Sequence, residues 1–393
     1  MLKTNRKGGA AIVAVLIMII IVAVGCALMV VTGRNTIRPN ENVTAVMPEG
    51  YDTEPAEPEK EPTPEETVEV EIPEVKPSML PAISDQYETI NLKDATFSTA
   101  VLLDCETNEI IAGLKYDKKI YPASLTKLMT LLVAAENITD LKAKYKFTDS
   151  DIDPLIDENA SRAGFAAGDE VTMEDLMYAA ILPSGADGTL GLAKAIAGSE
   201  EEFVKMMNAK VAELGLMDTN FVNASGLHDK NHYSSAQDIA VITKACLDNE
   251  ICRKVLCAEE YTTSATEEFE DGIDLESIFH SRFGGYFIDA DQNGEEDAVV
   301  KGGKTGFTDE AMFTLSTVVE YNGKEYICVT TKSESDTAAT EDTILTFENY
   351  LPGAVGTPQT SDSSSQDENS DSVIDLGGSS SSSADDSSSS QAA

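Results

Sequence analysis

Residues 121–137 read "YPASLTKLMTLLVAAEN". Ser124 and Lys127 stand three positions apart, and the run 128–135 that follows is apolar apart from Thr130. Residues three apart on a helix share a face, so the lysine amine can sit beside the serine hydroxyl. A helix that is apolar all round belongs in a core. Burial there disfavours the ammonium form, and a neutral amine can take the serine's proton. The same letters also suit an N-cap serine followed by a surface lysine, because S-x-x-K alone is common by chance. The remainder of the chain decides between the two.

Upstream, "TFSTAVLLDCETNEIIAGLKYD" (96–117) holds two strand-like runs around a turn, a hairpin. Downstream, "TMEDLMYAAIL" (172–182) opens with Thr172 and Asp175 in capping-box spacing and has an apolar face. Further amphipathic helices are expected at 190–197, 200–215 and 235–248. "AMFTLSTVVEYNGKEYICVTTKS" (311–333) reads as two strands joined by Asn322–Gly323, and "DTAATEDTILTFENYL" (336–351) as a closing helix. The order is strand–strand, a block of helices, then strand–strand–helix. The expected fold class is α/β (α+β): an antiparallel sheet flanked by helices, with a mostly helical inserted subdomain.

Two more short motifs carry chemistry. "SGAD" (184–187) follows the 172–182 helix and opens another; its serine is either an N-cap or a proton carrier between lysine, nucleophile and leaving group. "KTG" (304–306) lies at a strand edge, where Lys304 and the Thr305 hydroxyl can hold a carboxylate and Gly306 lets another chain approach.

In order and spacing, these segments resemble the serine-type D-Ala-D-Ala carboxypeptidases, the low-molecular-mass penicillin-binding proteins of peptidase family S11, within the β-lactamase and transpeptidase superfamily. "PASLTKLMTLLVA", "ENASRAGFAAGDEVTMEDLMYAAILPSGADG" (158–188), "NASGLHDKNHYSSAQDIA" (223–240) and "KTGFTDEA" (304–311) each look like a family segment, and the similarity covers about residues 90–352.

The resemblance implies a β-lactamase-like fold and the removal of the terminal D-Ala from peptidoglycan stem peptides. Ser124 would be the nucleophile, Lys127 its base and Ser184 a proton relay. Lys304 and Thr305 would bind the terminal carboxylate. Gly306 would admit the substrate, and the N–H of Phe307 with that of Ser124 would form the oxyanion hole. It implies no metal and no cofactor, and β-lactams as covalent inhibitors. One position departs from the pattern: Ala186 stands where the second motif usually has Asn, the residue expected to bind the substrate's backbone carbonyl and steady the lysine. Related D,D-endopeptidase or β-lactamase chemistry, or an impaired wall-binding homologue, are the alternatives.

Composition sets the surroundings. The chain has 393 residues and a formal net charge of −41, which argues against nucleic acid as a partner. Residues 1–9 are polar and basic, and residues 10–32 carry no charge. As a helix the latter would be about 34 Å long, enough to cross a bilayer. The basic flank then leaves residues 1–9 in the cytoplasm, making a single-pass cell-membrane protein with an extracellular catalytic domain. "AVGC" (23–26) is faintly lipoprotein-like, but the apolar run continues past Cys26, so an uncleaved anchor is the reading taken.

Residues 33–83 are a Pro/Glu-rich linker, residues 84–353 the catalytic domain, and residues 354–393 a Ser-rich tail. The six cysteines match no zinc spacing, and buried inert thiols are expected. His228 and His232 read as structural loop residues. "DADQNGEEDAVV" (289–300) has EF-hand-like spacing, but Val300 stands in place of the twelfth-position Glu, so an acidic turn is the reading taken.

Overall fold

The computed structural model describes residues 79–356. The expected span 10–32, most of the linker and most of the Ser-rich tail lie outside the described residues. Among the described residues no helix is long and apolar enough to cross a membrane.

The chain runs β1 (Ala82–Thr89), β2 (Thr99–Asp104), β3 (Glu109–Leu114), a 3-10 turn (Ala123–Leu125) and α1 (Thr126–Asn137). It continues with β4 (Lys144–Lys146), α2 (Asp149–Asp157), β5 (Glu170–Thr172), α3 (Met173–Ile181), α4 (Ala186–Ala197) and α5 (Glu200–Leu214). Then come α6 (Ala236–Asp248), α7 (Glu250–Leu256), β6 (Glu260–Thr262), β7 (Asp274–Glu276) and α8 (Ile278–Phe283). It closes with β8 (Ala298–Thr308), β9 (Met312–Tyr321), β10 (Lys324–Ser333) and α9 (Asp336–Tyr350).

The main sheet has six strands in the order β1-β3-β2-β10-β9-β8. Every neighbour pair is antiparallel except β1 with β3. All six residues of β2 are buried, because both faces of the sheet are covered. Alternation along the strand sorts them. Val101 and Leu103 join the core shared with the inserted helices, whereas Ala100 and Leu102 pack with Ile344 and Phe347 of α9. The β9–β10 turn at Asn322–Gly323 has φ of 51° and 73°, the left-handed pair that a two-residue hairpin loop requires.

The inserted subdomain is built round α1, in which every residue from Thr126 to Ala135 is buried. Leu128, Leu131 and Leu132 are at most 2% exposed, and each such side chain contributes about 1.5–3 kcal/mol. Helix α3 starts at the expected capping box: the Thr172 N–H donates to Asp175 Oδ2 at 2.8 Å, and the Asp175 N–H returns to Thr172 Oγ1 at 3.1 Å. The described cysteines are free; Cys246, Cys252 and Cys328 are buried, as expected of packed thiols, whereas Cys105 and Cys257 are only partly buried.

Strand β1 was not expected from the sequence. "AISDQYET" shows no apolar alternation, and the strand stays mostly exposed. Main-chain pairing with β3 holds it at the sheet edge, and hydrogen bonds of that kind leave no side-chain signature. The three-residue ribbons β4–β5 and β6–β7 are too short to show a period.

Candidate active site

The turn Ala123–Leu125 carries Ser124 immediately ahead of α1, and Lys127 lies in the first turn of that helix. Lys127 Nζ lies 2.9 Å from Ser124 Oγ and 2.5 Å from the Ser225 carbonyl oxygen. The lysine is 3% exposed. Burial pulls its pKa down to about 7, opposed only by the charge of Asp187. The amine is therefore substantially neutral near neutral pH and poised as a base for the serine.

The Ser225 carbonyl is aimed by a tight turn. Asn223 Oδ1 accepts the Gly226 N–H at 2.7 Å, and Asn223 Nδ2 donates to the Leu227 carbonyl at 2.9 Å. Beneath it, the Val222 N–H donates to His232 Nδ1 at 3.2 Å, which leaves Nε2 to donate to Thr126 Oγ1 at 2.7 Å. Burial lowers the His232 pKa to about 4, so the ring stays neutral as a strut under α1. His228 instead faces Tyr121 and Glu310.

Ser184 sits between α3 and α4 with φ of 60°, a left-handed conformation that costs a non-glycine residue about 1–3 kcal/mol. Its neighbours hold it there. The Gly185 N–H donates to the Ala179 carbonyl at 2.8 Å and the Ala186 N–H to the Ser161 carbonyl at 2.7 Å. The buried Asp187 carboxylate takes the N–H groups of Ala163 at 2.8 Å and Gly164 at 3.0 Å. Ser184 Oγ thereby meets Lys304 Nζ at 2.9 Å, and that amine also donates to the Thr305 carbonyl at 2.9 Å. Lys304 is 1% exposed, and burial, with the Lys127 charge second, holds its pKa well below that of an ordinary lysine.

Edge strand β8 closes the site. A Cβ on Gly306 would lie 3.2 Å from the Ser124 nitrogen, 3.1 Å from the Pro122 carbonyl oxygen and 2.5 Å from Thr314 Oγ1. Glycine is what lets β8 run this close to the serine turn. Phe307 is half exposed, with its ring 4.5 Å from that of Phe313.

Ser124, Ser184, Thr305, Gly306 and Phe307 line one cleft of about 180 Å³, while Lys127 and Lys304 lie buried behind it. Arg282 of α8 and Asp336 of α9 line the same cleft and pair with each other. A neighbouring cleft of about 770 Å³ is bordered by Ala186, Asn223, Ser225 and Lys194.

Sequence reading missed Asn223, Ser225, Gly226, Arg282 and Asp336 as parts of the site. The segment "NASGL" stood out, but a backbone carbonyl has no letter of its own. Arg282 and Asp336 meet only through the packing of α8 and α9.

The acidic loop before β8 forms a turn. The carboxylates of Asp289, Asp291 and Asp297 converge within 4.8 Å of one another. Their oxygens already accept N–H groups from Ala290, Asp291, Asn293 and Gly294. Val300 belongs to β8.

The family profile described as D-alanyl-D-alanine carboxypeptidase, peptidase S11, matches residues 86–335. The chain belongs to this family. It is 32% identical over 236 residues to D-alanyl-D-alanine carboxypeptidase DacF of Bacillus subtilis, covering 59% of this chain and 56% of that one. It is 33% identical over 228 residues to DacA of Haemophilus influenzae, covering 56% and 52% respectively. This S11 chain thus spans about half the length of the curated relatives it matches.

In fold it is similar to the Streptomyces K15 DD-transpeptidase, with a TM-score of 0.58 at 24% identity over 66% of this chain and 99% of that one. It is also similar to penicillin-binding protein 5 of Haemophilus influenzae, with a TM-score of 0.56 at 26% identity over 66% and 72%. The S11 fold thus accounts for the antiparallel sheet and the inserted helices.

Proposed function

We propose that this chain is a serine-type D-alanyl-D-alanine carboxypeptidase acting on peptidoglycan stem peptides through an acyl-enzyme on Ser124. The observation that carries the reading is the buried Lys127 amine, with a pKa of about 7 and 2.9 Å from Ser124 Oγ.

Lys127 takes the proton of Ser124 as Oγ attacks the carbonyl of the D-Ala-D-Ala bond. The tetrahedral oxyanion is held by the N–H groups of Ser124 and Phe307, where one such donor is worth about 3 kcal/mol. The proton taken up by Lys127 is relayed through the Ser184 hydroxyl to the departing D-Ala amine, which returns Lys127 to its neutral form, and Lys304 orients Ser184. Water then attacks the ester, Lys127 takes its proton and gives it back to Ser124 Oγ as the acyl group leaves, and the free enzyme is regenerated. The burial of Lys304 leaves the terminal carboxylate to the Thr305 hydroxyl and to Arg282, the one cation among the described residues lining the cleft.

Ala186 does not leave Lys127 unsupported, because the Ser225 carbonyl already receives the amine. That favours an active enzyme over an impaired wall-binding homologue. As part of the same proposal, the uncharged segment 10–32 anchors the chain in the cell membrane and the catalytic domain lies outside.

The test is release of D-Ala from a stem pentapeptide together with labelling by a fluorescent penicillin. Both are expected from the wild-type chain and neither from Ser124→Ala. Equal labelling of the two proteins sinks the nucleophile assignment. Labelling without D-Ala release moves the activity to another D,D-peptidase or to a β-lactamase.

A further inference from the structure

We propose that Asp336 is a resident competitor for the substrate's terminal carboxylate: it holds Arg282 in the free enzyme and must release it as the carboxylate enters. The proposal rests on the carboxypeptidase reading above, and it concerns how the site admits its substrate.

Among the described residues, Arg282 and Asp336 are the only charged ones lining the cleft that holds Ser124, Ser184 and Thr305. They reach it from different elements, Arg282 from the last turn of α8 and Asp336 as the first residue of α9, and they form an ion pair. The cleft wall is therefore neutral overall at rest. The basic group of the third motif cannot serve, because Lys304 Nζ is buried and donates to Ser184 Oγ and the Thr305 carbonyl.

A guanidinium in this position recognises a carboxylate through two parallel N–H bonds. At present the carboxylate it holds is the protein's own. The two partners differ in what they lose on separation. The Asp336 side chain is 49% exposed, whereas that of Arg282 is 29% exposed. Asp336 also keeps other support: its Oδ1 accepts the Thr337 N–H at 2.8 Å at the start of α9, where the helix dipole favours a negative charge. Release therefore leaves Asp336 in water and capped, while Arg282, the more buried charge, needs a new anion. The α-carboxylate of the terminal D-Ala, or the carboxylate of a penicillin, is an anion of matching shape. Substrate entry becomes an exchange of one carboxylate for another on Arg282, which makes a free terminal carboxylate a requirement rather than a preference.

The experiment compares the full chain with its Asp336→Asn and Arg282→Gln variants. Second-order acylation rates are measured with a penicillin bearing a free carboxylate and with the methyl ester of the same penicillin. The readout is the acid-to-ester ratio within each protein, which cancels a partial loss of folded enzyme. Asp336→Asn is expected to raise the ratio about two- to fivefold, the scale of a half-exposed pair. Arg282→Gln is expected to lower it about tenfold or more. An unchanged ratio in Asp336→Asn overturns the proposal. A lowered ratio also overturns it, because Asp336 would then orient Arg282 instead of competing for it. If wild-type protein takes both labels and Ser124→Ala takes neither, the carboxypeptidase reading stands and the Asp336→Asn ratio alone decides. If wild-type protein takes neither label, both readings fall.

Discussion

A Cβ on Gly226 would lie 1.9 Å from the carbonyl oxygen of Ala123. The residue before Ser124 thus rests directly on the turn that supplies the Ser225 carbonyl to Lys127. Gly226 has φ of 88° and Ala123 has φ of 48°, so both segments reach this contact in left-handed conformations. Gly226→Ala is expected to destabilise the domain by about 1–3 kcal/mol from backbone strain alone. It should also cut acylation far more than stability, because either the Ser124 turn or the Ser225 carbonyl must move. Denaturant unfolding alongside penicillin labelling checks this. A variant that labels at the wild-type rate would mean that the contact is not needed.

The pH profile follows from the Lys127 amine. Its pKa in the folded protein is about 7, against 10.5 for an ordinary lysine. Below about 7 the amine is protonated and cannot take the serine's proton. Acylation should therefore fall about tenfold per pH unit below that point and level off above it. The same shift makes a stability prediction. Between about 7 and 10.5 the unfolded chain carries a proton on this amine that the folded chain has released, so this group's contribution to stability rises with pH across the window. A rate that climbs only near pH 10 would return Lys127 to an ordinary ammonium.

Ala186 opens α4 and borders the wider cleft beside Ser225. It offers the substrate no side-chain donor. Ala186→Asn adds an amide there, and one neutral hydrogen bond is worth about 0.5–1.5 kcal/mol, or roughly two- to tenfold in kcat/KM for D-Ala release. Steady-state kinetics on a pentapeptide measures it. A fall in kcat/KM would show that substrate itself uses the space that Ala186 leaves.

Thr317 of β9 is fully buried, and its Oγ1 has no hydrogen-bond partner in the structure. Valine keeps the shape and the strand preference and removes the unmet hydroxyl. Thr317→Val is expected to stabilise the domain by about 1 kcal/mol, read as a higher urea midpoint at unchanged slope. A lower midpoint would mean that the hydroxyl has a bonding role in solution.

Elements with strong local signals were legible before the fold was known. The hairpin at Asn322–Gly323, the capping box at Thr172–Asp175 and the apolar α1 each announce themselves within a few residues. Strand β1 did not, because its pairing with β3 uses main-chain groups and needs no apolar face. The Lys127–Ser225 contact was invisible for a related reason: its acceptor is a carbonyl that every residue possesses.

Ser124, Lys127, Ser184, Lys304 and Thr305 were singled out from three short motifs taken together with the family resemblance, since motifs are carried by side-chain type and spacing. The pairing of Lys127 with Ser124 was legible in their three-residue spacing, whereas that of Lys304 with Ser184 was a tertiary decision, made by packing across 120 positions. The same holds for the charged end of the cleft. Arg282 and Asp336 are 54 positions apart in the numbering, and nothing in either neighbourhood links them until α8 and α9 pack against each other. Local sequence determines groups and helices, but distances between elements are set by the core that buries them.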